Sequence, residues 1–128
     1  MKIYPAGSRG KSDLFPIIPR EPRVGYYDSN DEPQSYKLAL RNVLPSYEAI
    51  WVHVQDERCS FETFMEIVEA DALGLPIIIT QGIIPETIEW QNIRSEYSTQ
   101  IDVPTFVHAV DLPLIHRMIV SQLKGRVR

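Results

Sequence analysis

The apolar and polar residues between Ala49 and Thr80 alternate in blocks that predict strand, loop, helix and strand. Ala49–Val54 (AIWVHV) is an apolar run rich in β-branched and aromatic residues, the signature of a buried strand. Gln55–Cys59 is a charged connection, and Ser60 is a good N-cap for a helix over Phe61–Leu73. Gly74 stands where a helix-ending glycine belongs, and Pro76–Thr80 is a second buried-strand run. A strand that returns through one helix makes a parallel pair with a right-handed crossover. Ligands of such sheets sit beyond the carboxyl ends of the strands, which marks Gln55–Phe61 and the first helical turns as the functional edge.

The rest of the chain extends this pattern. Met1–Pro5 predicts a first strand, opening into a small-residue loop, Ala6–Ser12, that carries two cations. Three prolines in Asp13–Pro22 leave the first crossover little room for a helix. Arg23–Tyr27 predicts a second strand and Asp28–Pro33 a turn. Gln34–Leu44 has a helical stripe of Tyr36, Leu38, Leu40, Val43 and Leu44, ended by Pro45. Further on, Glu86–Tyr97 predicts a helix, Thr105–Val110 a last strand and Leu112–Leu123 a closing helix, followed by a basic tail, Lys124–Arg128. Five short strands alternating with helices predict an α/β, three-layer sandwich with a mainly parallel five-stranded sheet, flavodoxin- or Rossmann-like. The length of 128 residues suits one domain spanning 1–128.

Composition narrows the function classes. A formal charge of −4 gives no general attraction to nucleic acid or to an anionic membrane. The longest apolar runs fall far short of the ~20 residues of a membrane span, and Met1–Tyr4 leads straight into a strand without a signal-peptide pattern. The single cysteine, Cys59, excludes an internal disulfide and a cysteine-based zinc site, which suggests a reducing, cytoplasmic setting. His53, His108 and His116 have no metal-ligand spacing, and neither a metal nor an organic cofactor is called for.

Few residues carry obvious chemistry. On the central helix Phe61, Phe64, Met65, Val68 and Ala72 share a face expected to lie on the sheet, opposite Glu62, Glu66 and Glu69. Such carboxylates usually form a solvated face. Ile67, Ala70 and Leu73, however, make a second apolar flank around Glu66, as if another element or a second subunit covered it. His53 and His108 read as strand residues, His116 as a surface one, and Trp51 as core; Tyr4 faces either core or site. Cys59 precedes a helix N-terminus, a position that lowers a thiol pKa, but no histidine neighbours it in sequence. The Gly7-Ser8-Arg9-Gly10 loop can offer N–H groups and a guanidinium to a phosphate, or be a plain solvated turn.

The opening MKIYPAGS resembles the MKIYLAGP-type start of the nucleoside 2-deoxyribosyltransferase superfamily, whose 2′-deoxynucleoside 5′-phosphate N-hydrolases have a Gly-Ser-x-Arg-Gly loop like the shortened Gly7–Gly10. Phe64-Met65-Glu66-Ile67 with Ala70, Ala72, Gly74 and Pro76 is similar to the family's "ELGYA…GKPV" helix and strand. The resemblance implies cleavage or transfer at the N-glycosidic bond of a nucleoside or nucleoside 5′-monophosphate, with Glu66 as the nucleophile. It also implies that Gly7, Ser8, Arg9, Gly10 and Ser60 hold the 5′-phosphate and that Tyr4 lies beside the substrate. Members are commonly dimers or larger, so a homodimer or higher homo-oligomer is expected. The sequence departs from the family in Val68, Glu69 and Leu75, and Leu40 or Asn42 stands where a helix Asp assists base departure. Asp56 is the acid left to assist, provided its loop folds inward. The alternative expectation is a non-catalytic nucleotide-binding or protein-interaction domain of the same fold.

Overall fold

The computed structural model describes residues 1–7, 11–18 and 32–126. In chain order they form β1 (Ile3–Ala6), α1 (Lys11–Leu14), α2 (Pro33–Val43), β2 (Ala49–Val54), α3 (Phe61–Ala72), β3 (Ile77–Gln81), α4 (Ile88–Tyr97) and α5 (Leu112–Arg126). The described strands make a three-stranded parallel sheet in the order β1-β2-β3. Ile3 pairs with Ala49 on one side of β2, and Ile50 with Ile77 on the other. All six residues of β2 are buried, as a strand covered on both faces requires.

The pleat divides the core in two. Tyr4, Ile50, Val52 and Ile79 pack with Leu40 of α2, Ile67 of α3 and Trp90 of α4. Ile3, Ala49, Trp51 and Ile78 pack with Leu14 of α1 and with Leu112, Ile115 and Ile119 of α5. Helices therefore cover both faces of the sheet, an α/β arrangement. Buried polar groups are stitched in: Trp51 Nε1 donates to Thr80 Oγ1 at 2.8 Å, and the same hydroxyl meets His53 Nδ1 at 2.8 Å.

Several expectations are corrected. The sheet has three described strands, not five. The strand expected over Arg23–Tyr27 lies outside the described residues. Thr105–Val110 is not a strand: it makes one parallel bridge, Gln81 to Phe106, with Gln81 N–H donating to Thr105 and Val107 N–H to Gln81. Only Val107 of its later residues reaches the core, and His108 and Val110 are exposed. The crossover judged too short for a helix holds one turn, α1, which closes before the prolines begin. The closing helix runs past Leu123 into the basic tail as far as Arg126.

The largest correction concerns the face of α3. Of the residues expected on the sheet, Met65 is buried as expected and Val68 half-buried, but Phe61 and Phe64 point outward, 52% and 41% exposed, and Ala72 is exposed too. Thr63, Ile67 and Ala70 are buried along with Met65, and Glu62, Glu66 and Glu69 lie beside them instead of in solvent. The carboxylates face neighbouring elements: Glu69 is held through two contacts by Arg41 of α2, at 3.0 and 3.4 Å. The flank of Ile67 and Ala70 thus lies in the protein's own core, and of those three only Leu73 is open. α3 ends as expected at Gly74, φ 73°, where Leu75 N–H returns to Ala70 and Gly74 N–H to Asp71.

Gly7, just beyond β1, has φ 107°, and a Cβ there would stand 2.1 Å from the carbonyl oxygen of His53. A side chain must both adopt a left-handed backbone and displace β2. Gly7→Ala is expected to cost at least about 2 kcal/mol, read as a lower urea midpoint; an unchanged midpoint would refute the close approach.

Candidate active site

The site begins with helix capping. Ser60 is the N-cap of α3: its Oγ accepts from Thr63 N–H at 3.1 Å and donates to Thr63 Oγ1 at 2.9 Å. With the helix start fixed there, Glu62 falls in the first turn and Glu66 one turn further, on the flank that runs under the carboxyl end of β1. Gly7 N–H donates a long hydrogen bond to Glu66 Oε1, 3.4 Å. Lys11 Nζ lies 3.6 Å from Glu66 Oε2 and 3.3 Å from Glu62 Oε1. From α2, the Tyr36 hydroxyl donates to the same Glu62 oxygen at 3.4 Å.

These groups are enclosed. Glu66 is 0% exposed, Lys11 1% and Glu62 8%. Burial disfavours an ionised carboxylate here, and a second carboxylate stands close by. The Glu66 carboxyl is accordingly pushed up to about 7, chiefly by burial and further by Glu62, while Lys11 and the Gly7 N–H oppose the rise. Among the described residues Glu66 Oε2 accepts no hydrogen bond. Burial, with Glu66, Tyr4 and Glu62 behind it, raises the Tyr36 phenol, which therefore keeps its proton and stays a donor. A carboxyl that exchanges its proton near neutrality can serve as nucleophile, acid or base.

The residues singled out from the sequence are only partly brought together. Gly7 and Glu66 meet directly. Tyr4 is buried on the same side of the sheet, edge-on to Tyr47 at 5.2 Å, and close enough to Tyr36 to influence its phenol. Ser60 spends its hydroxyl on the helix cap. Asp56 is half-buried in the loop after β2, and its carbonyl accepts from Trp90 Nε1 at 2.9 Å. Ser8, Arg9 and Gly10 lie outside the described residues. Sequence reasoning missed Lys11, Glu62 and Tyr36 as members of the site. The Glu62–Glu66 spacing was a visible signal for one of them; no local pattern marked Tyr36.

Among the described residues, clefts flank the N-terminus of α3. One, of about 600 Å³, is lined by Gln55–Ser60 and Ile84. The other, of about 470 Å³, is lined by Cys59, Ser60, Phe61, Phe64, Glu89, Asn92 and Ile93. Both open at the carboxyl edge of the sheet, and neither is lined by Glu66. A further hollow of about 360 Å³ lies at the opposite edge, against Met1, Glu48 and Pro76, which precede the strands.

Other reactive side chains are set for structure. The Cys59 thiol, expected to be acidified by the helix, is instead pushed up to about 12 by burial, with Glu89 and Glu66 adding to it. His53, buried in β2, is lowered by burial against the pull of Asp13, so the neutral ring serves the Thr80 hydrogen bond. His108 is exposed, and His116 is half-buried and stacked on Trp51, ring centroids 6.2 Å apart. Among the described residues no three or more His, Cys, Asp or Glu side chains group as metal ligands, and no helix is long and apolar enough to cross a membrane.

Searches against protein-family models, curated proteins and solved structures give no match to this chain.

Proposed function

We propose that this chain is a small N-glycosidase or deoxyribosyltransferase acting on a nucleoside or nucleoside 5′-monophosphate, with Glu66 as its nucleophile. The observation that carries the reading is the Glu66 carboxyl itself: fully buried at the carboxyl end of β1, held by Gly7 N–H and Lys11, and able to ionise near neutrality. A buried carboxyl needs a reason to be there, and the edge beyond a parallel strand is where such folds work. The sequence likeness of Gly7–Gly10 and of the Glu66 helix to the deoxyribosyltransferase superfamily supports the same reaction.

In this reading a Glu66 oxygen attacks the anomeric carbon as the base leaves, and water or a second base then releases the sugar. Gly7 and Ser60, with Ser8, Arg9 and Gly10, would hold the 5′-phosphate, and Tyr4 would lie behind the sugar. The test is a panel of nucleosides, nucleoside 5′-monophosphates and NAD, with free base followed by chromatography. Release of one base by the wild type is the expected result.

The complete enclosure of Glu66 favours a second reading, a domain that binds a nucleotide without turning it over. Tight binding of a nucleoside phosphate, with no base released from any compound, would select it.

Self-association belongs to the same proposal. Phe61 and Phe64 give α3 an outward apolar edge, 52% and 41% exposed. Light scattering is expected to report a dimer or larger species, with Phe61→Asp and Phe64→Asp lowering the mass; a clean monomer at high concentration overturns it.

A further inference from the structure

The helices that follow β2 and β3, α3 and α4, hold a cleft of about 470 Å³ between them. One wall is Phe61 and Phe64, three residues apart and so on one side of α3. The other is Glu89, Asn92 and Ile93, which share a side of α4 in the same way. Both walls are braced from behind. Tyr97 meets the Phe64 ring edge-on at 6.3 Å. The start of α4 is tied to the loop after β2, by Thr87 Oγ1 donating to the Glu57 carbonyl at 3.0 Å and Trp90 Nε1 to that of Asp56 at 2.9 Å. Cys59 N–H, at the end of that loop, donates to Glu89 Oε2 at 3.1 Å and holds the carboxylate in place.

We propose that this cleft binds a flat ligand with two N–H donors side by side, the edge offered by guanine and by a guanidinium group, and that Glu89 accepts both.

Charge is the first support. Of the side chains that line the cleft among the described residues, Glu89 alone carries a formal charge. The Cys59 thiol, pushed up to about 12, is neutral, and the Ser60 hydroxyl is spent on the helix cap. A cleft with a carboxylate and no cation is complementary to donors. The acceptor geometry is the second. A carboxylate has about four acceptor sites on its two oxygens, and Cys59 N–H takes one of them. Two parallel N–H···O bonds to the remainder make the fork that carboxylates form with guanidinium. Asn92, one turn on from Glu89, adds an amide that can donate to a ring oxygen such as O6 of guanine. The third support is shape. Phe64 and Ile93 are apolar surface against which a flat ring packs, and a guanidinium also lies well over an aromatic face. The volume falls within the roughly 300–1,000 Å³ of small-molecule sites. Glu66 does not line this cleft, so the assignment goes beyond the glycosidase reading and stands or falls without it.

Three probes test it. 9-Methylguanine has the paired edge and no glycosidic bond to cleave. 9-Methyladenine is as flat but lacks the pair, and methylguanidinium has the pair without the ring. Each is titrated into wild type and into Glu89→Gln, with the Cys59 backbone amide followed by NMR. The Gln amide keeps an oxygen for Cys59 N–H but turns an NH₂ toward the ligand in place of the second oxygen. The expected result is a saturable shift of the Cys59 signal with 9-methylguanine. Binding should be about tenfold or more weaker for 9-methyladenine and for Glu89→Gln. That outcome identifies a guanine-type base; the same dependence on Glu89 with methylguanidinium alone identifies a guanidinium ligand. Equal affinity for the two purines, or equal binding by wild type and Glu89→Gln, would mean that the cleft reads only a flat ring, and overturns the assignment. A Cys59 signal that no probe moves does the same. Should Glu89→Gln not fold, 1,9-dimethylguanine with the wild type gives the contrast, because its N1 methyl removes one donor of the pair. Binding as tight as that of 9-methylguanine would then overturn the assignment.

Discussion

Glu66→Gln is expected to slow base release by on the order of a thousandfold or more, while the protein stays folded and, at pH 8, becomes more stable than wild type. The amide keeps the shape of the carboxyl and an oxygen for the Gly7 N–H. It cannot bond to an anomeric carbon as a carboxylate does. The stability change follows from the proton. Burial raises the Glu66 carboxyl from an ordinary 4.5 to about 7, so folding favours its neutral form. That contribution is complete below pH 4.5, shrinks as pH rises, and is lost above about 7; the shift corresponds to roughly 3 kcal/mol. Urea titrations should therefore show wild type losing stability between pH 5 and 8 and Glu66→Gln losing much less. Base release should run the other way, rising through about pH 7 as the nucleophile ionises. A variant that releases base at the wild-type rate would end the Glu66 assignment. A variant that merely unfolds would show itself in the same titration.

What the sequence reveals here is what local chemistry decides. Ala49–Val54 is a strand at the expected bounds because an unbroken β-branched and aromatic run has few other uses. Ser60 and Gly74 bracket α3 because a hydroxyl that reaches the third N–H and a residue free to take positive φ are readable one at a time. The rotation of that helix was not readable. Phe61, Phe64 and Val68 make as good an apolar stripe as Thr63, Ile67 and Ala70, and the choice between them is made by α2 and α1. With Arg41 set against Glu69 and Lys11 against Glu62 and Glu66, the carboxylate side can be buried and the phenylalanine side exposed. The same long-range logic hid the site. Glu66 stood out by its likeness to a known helix, but the cation and the phenol that set its chemistry come from α1 and α2, and no spacing along the chain joins them. Thr105–Val110 failed for the opposite reason. Its composition is that of a strand, yet among the described residues it forms one bridge, to Gln81.

Lys11 is the residue whose loss should damage the fold most. Its ammonium is 1% exposed and lies between Glu62 and Glu66, two carboxylates that receive it out of water. Lys11→Met keeps the length and apolar stem and deletes the charge. Taking one partner from a buried ion cluster costs about 3–5 kcal/mol, since the charges left behind stay desolvated. Here the Glu66 carboxyl can take up a proton, so the cost must depend on pH. Lys11 is the group that holds the Glu66 carboxyl down against burial; without it that carboxyl rises above about 7, and its neutral form persists to higher pH. A raised carboxyl is most compatible with folding when protonated, which makes the variant's deficit small near pH 5 and largest near pH 8. Adding Glu66→Gln removes one of the stranded charges, and the double variant should recover most of the stability lost at pH 8. Urea midpoints of the wild type, both single variants and the double variant at the two pH values measure the coupling directly. A Lys11→Met deficit that is the same at both pH values, or one that Glu66→Gln does not relieve, would mean that the ammonium and Glu66 do not share the charge balance on which the site depends.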